Sequence, residues 1–337
     1  MRSHTVPKRL LEQFAYDDPR TGVKQLWRYS KDLPPYWRQS PTGATRIDRH
    51  FSDPDDAAKE AEIESRLNSQ VENPVNQFLS EICMPEFVAN DTQRRQLTFY
   101  IQLLFHRSEA RRKASVHLQG VSVQAMQSFV ENERQVLTVA AKWNIDYLLG
   151  GGDGTGLFTE SDVRAMRNRY DRIPVEIRAQ SSYIRTIEVF MAEVDSSLLD
   201  GHWSFIRTSL QNPFIISDAP VVTWERMNDG QFKYGVGFHE PNVEAFVPFS
   251  PEVCLHIQPS VERTKPAILP SVEEINTAQA AFAGRSCFAN INSPVIDRMF
   301  QENFGRAQLG VKGFTVWHRD YSTAVYDYLM SVPSPMK

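Results

Sequence analysis

The apolar positions of this chain change their period near residue 200. Up to that point the longer stretches repeat every three to four residues, the spacing of a helix with one buried stripe. Leu10, Leu11 and Phe14 place a short helix over 8–15. Asp53 or Asp55 can cap a longer one, whose stripe is Ile63, Leu67, Val71, Val75, Phe78 and Ile82. Pro74 should kink or divide it, because proline has no N–H to give the ladder. Asp91-Thr92 starts another helix with Leu97, Ile101, Leu104 and Phe105 inward. Residues 123–141, a capped start at Thr159-Glu160-Ser161-Asp162, and the stripe Ile184, Ile187, Met191, Val194 and Leu198 complete a helical middle.

Beyond residue 200 the pattern shortens to strands, expected over 202–208, 213–217, 231–238, 244–249 and 253–258. Gly, Pro and turn signals separate them, and Asn228-Asp229-Gly230 reads as a hairpin turn. Residues 272–283 and 294–304 return to helix, and 287–291 and 314–318 to strand. Near the start, 25–31 and 45–51 read as strands around the turn cluster Asp17–Gly22 and the breakers Pro34, Pro35 and Pro41. Helices followed by strands that do not alternate with them predict an α+β fold with a mostly antiparallel carboxy-terminal sheet. The expected organisation is an amino-terminal docking segment and helical region over 1–200 and a β-rich region over 201–330, packed as one compact unit. The docking segment is expected to lie against the sheet.

At 337 residues and 41% hydrophobic, the chain can bury a sizeable core. A net charge of −4 does not demand a nucleic-acid partner, although a basic patch can exist on a near-neutral chain. Cys83, Cys254 and Cys287 lack the paired spacing of a disulfide framework or structural zinc site, which points to a reducing cytoplasm. The first residues carry no apolar signal core, and no apolar run approaches the ~18 residues that span a bilayer.

His4 is the first candidate for chemistry, since an imidazole can donate or accept a proton at neutral pH. It can equally be an ordinary terminal histidine, but Pro7 and the apolar Leu10, Leu11 and Phe14 argue that this end is docked. Asp218 follows the apolar Phe214-Ile215-Ile216, so it emerges at the end of a buried strand, as a site carboxylate or as the cap of its own turn. Ser217 has no GxSxG elbow around it and is the weaker nucleophile. Glu64, Asn68 and Glu72 stand four apart on one helix side. They either hold a divalent cation or form a solvated face, and Glu64, Glu72 and Asp218 are the candidate metal ligands. The basic stretch His106–Lys113 either contacts phosphate through arginine forks or complements a helix end. Gly150-Gly151-Gly152-Asp153-Gly154-Thr155-Gly156 is similar to the GGDGT loop of NAD kinases and diacylglycerol kinases, but it follows a helical segment and reads as an interhelical loop. His239, His256 and His318 fall in or beside strands and read as packed or surface histidines.

Taken in order, the landmarks resemble the bacterial family catalogued as domain of unknown function 4238. They are His4-x-x-Pro7-x-x-x-Leu11-x-x-Phe14, Trp27, Phe51, Glu64-x-x-Leu67, Glu72 and Arg107. The series continues with Phe214 to Pro220 as an F-x-[ST]-S-D-x-P element, Pro248-x-Ser250-Pro251 and Ile275-Asn276. Ile216 stands where Ser or Thr is common, and Leu104 where Gln is common. The resemblance implies a bacterial cytoplasmic protein and supplies no activity.

If the docked terminus brings His4 to Asp218, with Glu72 and Arg107 arriving from the helices, the four side chains could run hydrolysis. His4 would be the base, a carboxylate would orient it or bind metal, and Arg107 would hold a phosphate. The expectation is a nuclease or phosphoesterase of defence or toxin type, acting on nucleic acid or a phosphorylated ligand. The rival expectation is a binding protein in which His4, Asp218 and Asn276 are buried hydrogen-bond fixtures.

Overall fold

In the computed structural model, β10 (Val243–Ser250) is buried along its whole length and organises what packs around it. The structure describes residues 2–32, 36–48, 50–51, 58–109, 111–113, 175–261 and 268–307, with a few single positions between 116 and 161. In chain order the strands are β1 (Arg2–His4), β2 (Tyr16–Asp17), β3 (Lys24–Ser30), β4 (Tyr36–Gln39), β5 (Arg46–Asp48), β6 (His202–Arg207), β7 (Ile216–Ser217), β8 (Val222–Arg226) and β9 (Phe232–Tyr234), then β10, β11 (Val253–Gln258) and β12 (Ser286–Ala289). The helices are α1 (Lys8–Gln13), α2 (Lys59–Arg66), α3 (Asn73–Asn76), α4 (Asp91–His106), α5 (Val175–Ala192), α6 (Ser196–Leu199), α7 (Val272–Phe282) and α8 (Pro294–Asn303).

The larger sheet has the order β6-β11-β10-β8-β9, and each neighbouring pair runs antiparallel. A second sheet runs β2-β3-β12-β7 with β4 on β3, and β1 pairs with β5. Helices beside antiparallel sheets make the fold α+β, as the change of period implied. Gly230 takes φ +80° in the turn between β8 and β9, where Met227 N–H reaches Gln231 O at 2.7 Å, so the Asn-Asp-Gly hairpin is present. Strand β8 itself, and β1 and β4, were not expected from the sequence.

One apolar core lies between the larger sheet and α7, with Trp224, Phe246, Ile275 and Phe282 at its centre. A second joins Tyr29, Ile215, Cys287, Ile296 and Phe300 of the smaller sheet and α8. Helix α1 packs on β10, which docks the amino-terminal segment on the carboxy-terminal sheet. One compact unit comprises Met1–Ala114 and Ile184–Gly310, which includes the docking segment and residues 201–310 of the β-rich region. The other comprises Ser115–Tyr183 and Val311–Lys337. Of the helices expected over 123–141 and from Thr159 only single positions are described, and the Gly150–Gly156 loop and the strand 314–318 with His318 lie outside the described residues.

The long stripe of the helical region is interrupted. A π-helix over Leu67–Glu72 joins α2 to α3, with Asn73 N–H bonded to Asn68 O five residues back. Pro74 sits in the first turn of α3. In a regular α-helix its ring would meet the carbonyl four residues earlier, and the widening falls on the turn that precedes it.

Candidate functional site

The ladder places His4 opposite Arg46, and Arg46 Nε donates to His4 Nε2 at 3.2 Å. Burial, then the charges of Arg46 and Arg107, hold the partly buried ring below its usual pKa, while Glu72 pulls the other way. The imidazole is therefore neutral at pH 7. Since Nε2 accepts from Arg46, the single proton of the neutral ring belongs on Nδ1.

The residues after His4 are tied down. Thr5 N–H donates to Thr45 O at 3.2 Å, and Thr45 Oγ1 donates to Val6 O at 3.0 Å. Arg107 completes the tie from the far end of α4, which begins with a capping box between Asn90 and Gln93. The residue is 3% exposed. Nε donates to Thr5 O at 2.9 Å, and Nη1 donates to Glu72 Oε1 at 2.7 Å. Its carbonyl accepts from His50 Nε2 at 2.7 Å. Burial drives the His50 pKa down to about 3, so that ring also stays neutral. Glu72 is the last residue of the π-helix, so the widened turn delivers the carboxylate that meets Arg107.

Tyr100 lies seven residues before Arg107, two turns back on the same helix face. Its ring stacks on Phe249 of β10 with centroids 6.5 Å apart. Burial, then the Glu72 charge, raises its pKa, and Arg107 opposes them. His4 Nδ1, Arg107 Nη2 and Tyr100 OH are buried and have no hydrogen-bond partner among the described residues. Sequence reasoning missed Tyr100. Its signal is a polar atom on a position that the helical stripe buries, and such an atom needs a partner.

The structure thus brings His4, Glu72 and Arg107 together. Asp218 has a different set of neighbours. Its Oδ1 accepts from Gly284 N at 2.8 Å, and its own N–H donates to Ser286 O at 3.1 Å. The charges acting on it are those of Glu109 and Arg28, and Arg285 bridges to Glu109 at 2.7 Å. Burial is the largest influence on the carboxyl and helps push its pKa up to about 6. Neither His4 nor Asp218 is among the charges that shift the other.

The rest of the Ser217–Pro220 element is fixed by amides on α7. Gln279 Oε1 accepts from Ser217 N–H at 2.9 Å and from Ser217 Oγ at 2.8 Å, and its Nε2 donates to Pro220 O at 2.8 Å. Asn276 accepts from Ile215 N–H and donates to Pro213 O, both at 2.9 Å. Ser217 is fully buried, which removes it as a nucleophile open to substrate in this conformation.

Glu64 is partly buried on α2 and Asn68 is exposed. Among the described residues no group of three or more His, Cys, Asp and Glu side chains is placed to hold a metal ion, so Glu64, Glu72 and Asp218 do not assemble into one. The basic stretch after α4 turns inward in part. His106 stacks on Phe190 with centroids 3.6 Å apart, and Arg111 lies 3.8 Å over the Phe105 ring and donates to Gly235 O. His256 stacks on Phe246, and His239 lies 3.5 Å from Asp195. Among the described residues no helix is long and apolar enough to cross a membrane.

A family model described as "Protein of unknown function (DUF4238)" matches residues 2–293. No curated protein and no solved structure matches the chain.

Proposed function

The chain belongs to the DUF4238 family of proteins of unknown function, and on that premise we propose that it is a phosphoester hydrolase whose working residues are His4, Glu72 and Arg107. The observation that carries this reading is a neutral imidazole, with Nδ1 uncommitted, beside the pair of a partly exposed Glu72 carboxylate and a buried Arg107 guanidinium. Phosphoester cleavage needs a cation for the phosphoryl charge, a base for the attacking water and an acid for the leaving oxygen. Arg107 supplies the charge through Nη2, because Nη1 and Nε are engaged by Glu72 and Thr5. Glu72 is the carboxylate that takes the proton of water. His4 holds the leaving oxygen through its Nδ1–H, and the proton that Glu72 takes from water passes to that oxygen, so the role of His4 changes from the base expected from sequence to a hydrogen-bond donor. Asp218 in this reading holds the loop after α7 and does no chemistry.

The substrate class we favour is a nucleic acid or a smaller phosphorylated compound, in a defence or toxin setting within the bacterial cytoplasm. Three free thiols and the absence of an apolar spanning helix among the described residues support that compartment. The test is turnover of p-nitrophenyl phosphate, bis-p-nitrophenyl phosphate and single-stranded nucleic acid by the wild type, His4→Ala and Glu72→Gln. Loss of about a hundredfold or more in each variant is expected. Full activity in both variants on any substrate the wild type cleaves refutes the proposal.

The second reading is a binding protein whose polar residues are fixtures. The bond from Arg107 Nε to Thr5 O and the amide ties of Asn276 and Gln279 favour it. It requires a lower melting temperature in His4→Ala, whereas the catalytic reading requires lost turnover with the melting temperature kept.

A further inference from the structure

We propose that Tyr100 OH, Arg107 Nη2 and His4 Nδ1 form an oxyanion site that takes a phosphoryl group. The inference rests on the location of the site above but not on its hydrolytic chemistry. Two of the three side chains are almost wholly buried, Tyr100 at 1% and Arg107 at 3% exposed. A buried polar atom without a partner destabilises a fold, so three in one cluster call for a common explanation.

The chemistry of the three atoms agrees. A phenol that is fully protonated offers a hydrogen, and a guanidinium has only hydrogens to offer. The imidazole adds a third donor, because its other nitrogen already accepts from Arg46. Three unpaired donors match a ligand that only accepts. The local charge agrees as well, since Arg46, Arg107 and Lys8 act on His4 against the single carboxylate of Glu72. A carboxylate presents two oxygens in one plane, whereas a phosphoryl group presents three strong acceptor oxygens, one for each donor. Tyr100 and Arg107 project from one face of α4, seven residues apart, and His4 is brought in by β1. His4 and Glu72 are the partly exposed members of the cluster, so a ligand enters from their side.

Tyr100→Phe is the informative variant, because it removes one oxygen and keeps the ring that stacks on Phe249. The full chain and the variant are titrated with inorganic phosphate, with acetate as the control, by calorimetry and by thermal melting. Expected are a melting temperature that rises with phosphate in the wild type, an affinity about tenfold weaker in Tyr100→Phe, and a melting temperature in plain buffer that is equal or higher in the variant. The proposal is overturned by a wild type indifferent to phosphate, by equal phosphate affinity in the variant, or by a lower melting temperature of the variant in plain buffer, which would give the hydroxyl a partner within the fold. Acetate binding as tight as phosphate overturns the phosphoryl assignment. Tyr100-dependent phosphate binding without any phosphoester turnover keeps this site and removes the hydrolase. Turnover that depends on His4 with phosphate affinity indifferent to Tyr100 keeps the hydrolase and removes this site.

Discussion

Replacing Asp218 by asparagine isolates the cost of burying one charge. The residue is 6% exposed, and burial together with the Glu109 charge raises the pKa of its carboxyl from 3.8 to about 6, against the pull of the Gly284 and Arg285 N–H groups and of Arg28. A difference of about two pH units corresponds to about 3 kcal/mol. The folded pKa lies above the unfolded one, so the folded chain keeps a proton that the unfolded chain has released. The stabilising share of this group is complete below about pH 4, is lost as the pH rises towards 6, and stays lost above it. In Asp218→Asn the amide oxygen still accepts from Gly284 N–H, and no charge is buried. Urea unfolding of both proteins at pH 4, 5, 6 and 7 measures the effect. The stability of the variant relative to the wild type should grow by about 2 kcal/mol between pH 4 and 6 and level off above pH 7, since part of the ~3 kcal/mol is already lost at pH 4. A difference that stays constant across that range, or shrinks, refutes the reasoning.

Asn276→Ala strips the partners from Ile215 N–H and Pro213 O, both buried in the element that leads to Asp218. Each orphaned group costs about 1–3 kcal/mol, so the urea midpoint should fall clearly at pH 7. The imidazoles of His50 and His106 are held near a pKa of about 3 by burial, with Arg112 and Arg111 respectively adding to the effect. Their ring-carbon NMR resonances should therefore stay still between pH 5 and 8, and a midpoint inside that window contradicts their placement.

Much of the frame was legible in the chain. The helices α4 and α7 and the short apolar strands β10 and β11, which are buried on both faces, follow directly from apolar spacing. Strand β8 escaped because Ala219-Pro220-Val221-Val222 reads as the exit of the preceding element, yet Val222 to Trp224 is fully buried against β10. Pairing with a distant strand decides such a segment, and local pattern does not contain it. Strands β1 and β4 are short and take their form from β5 and β3 in the same way. For the site, His4, Glu72 and Arg107 were recognisable as chemistry, because charged and titratable groups near apolar stripes are unusual. Their meeting was not readable, since it depends on the ladder that sets His4 beside Arg46 and on the turn that aims Glu72. Tyr100 was hidden among Leu97, Ile101 and Leu104, where an aromatic ring is ordinary core and only the unpaired oxygen distinguishes it.

The spacing around the π turn carries its own arithmetic. Ile63, Leu67, Val71 and Val75 recur every fourth residue, and all four are buried. A regular helix repeats at about 3.6 residues, so each step overshoots by about 0.4 and three steps accumulate about one residue. The surplus is what a single widened turn absorbs, and it keeps the four side chains in one file. Excising one residue between Leu67 and Val71 would close the coil to its ordinary pitch and leave both ends of the file dry. Every neighbour of that file would nonetheless hold its angular place only if the surplus had been idle, so the tolerance of this joint to a one-residue change reads out how tightly the Glu72 carboxylate is aimed.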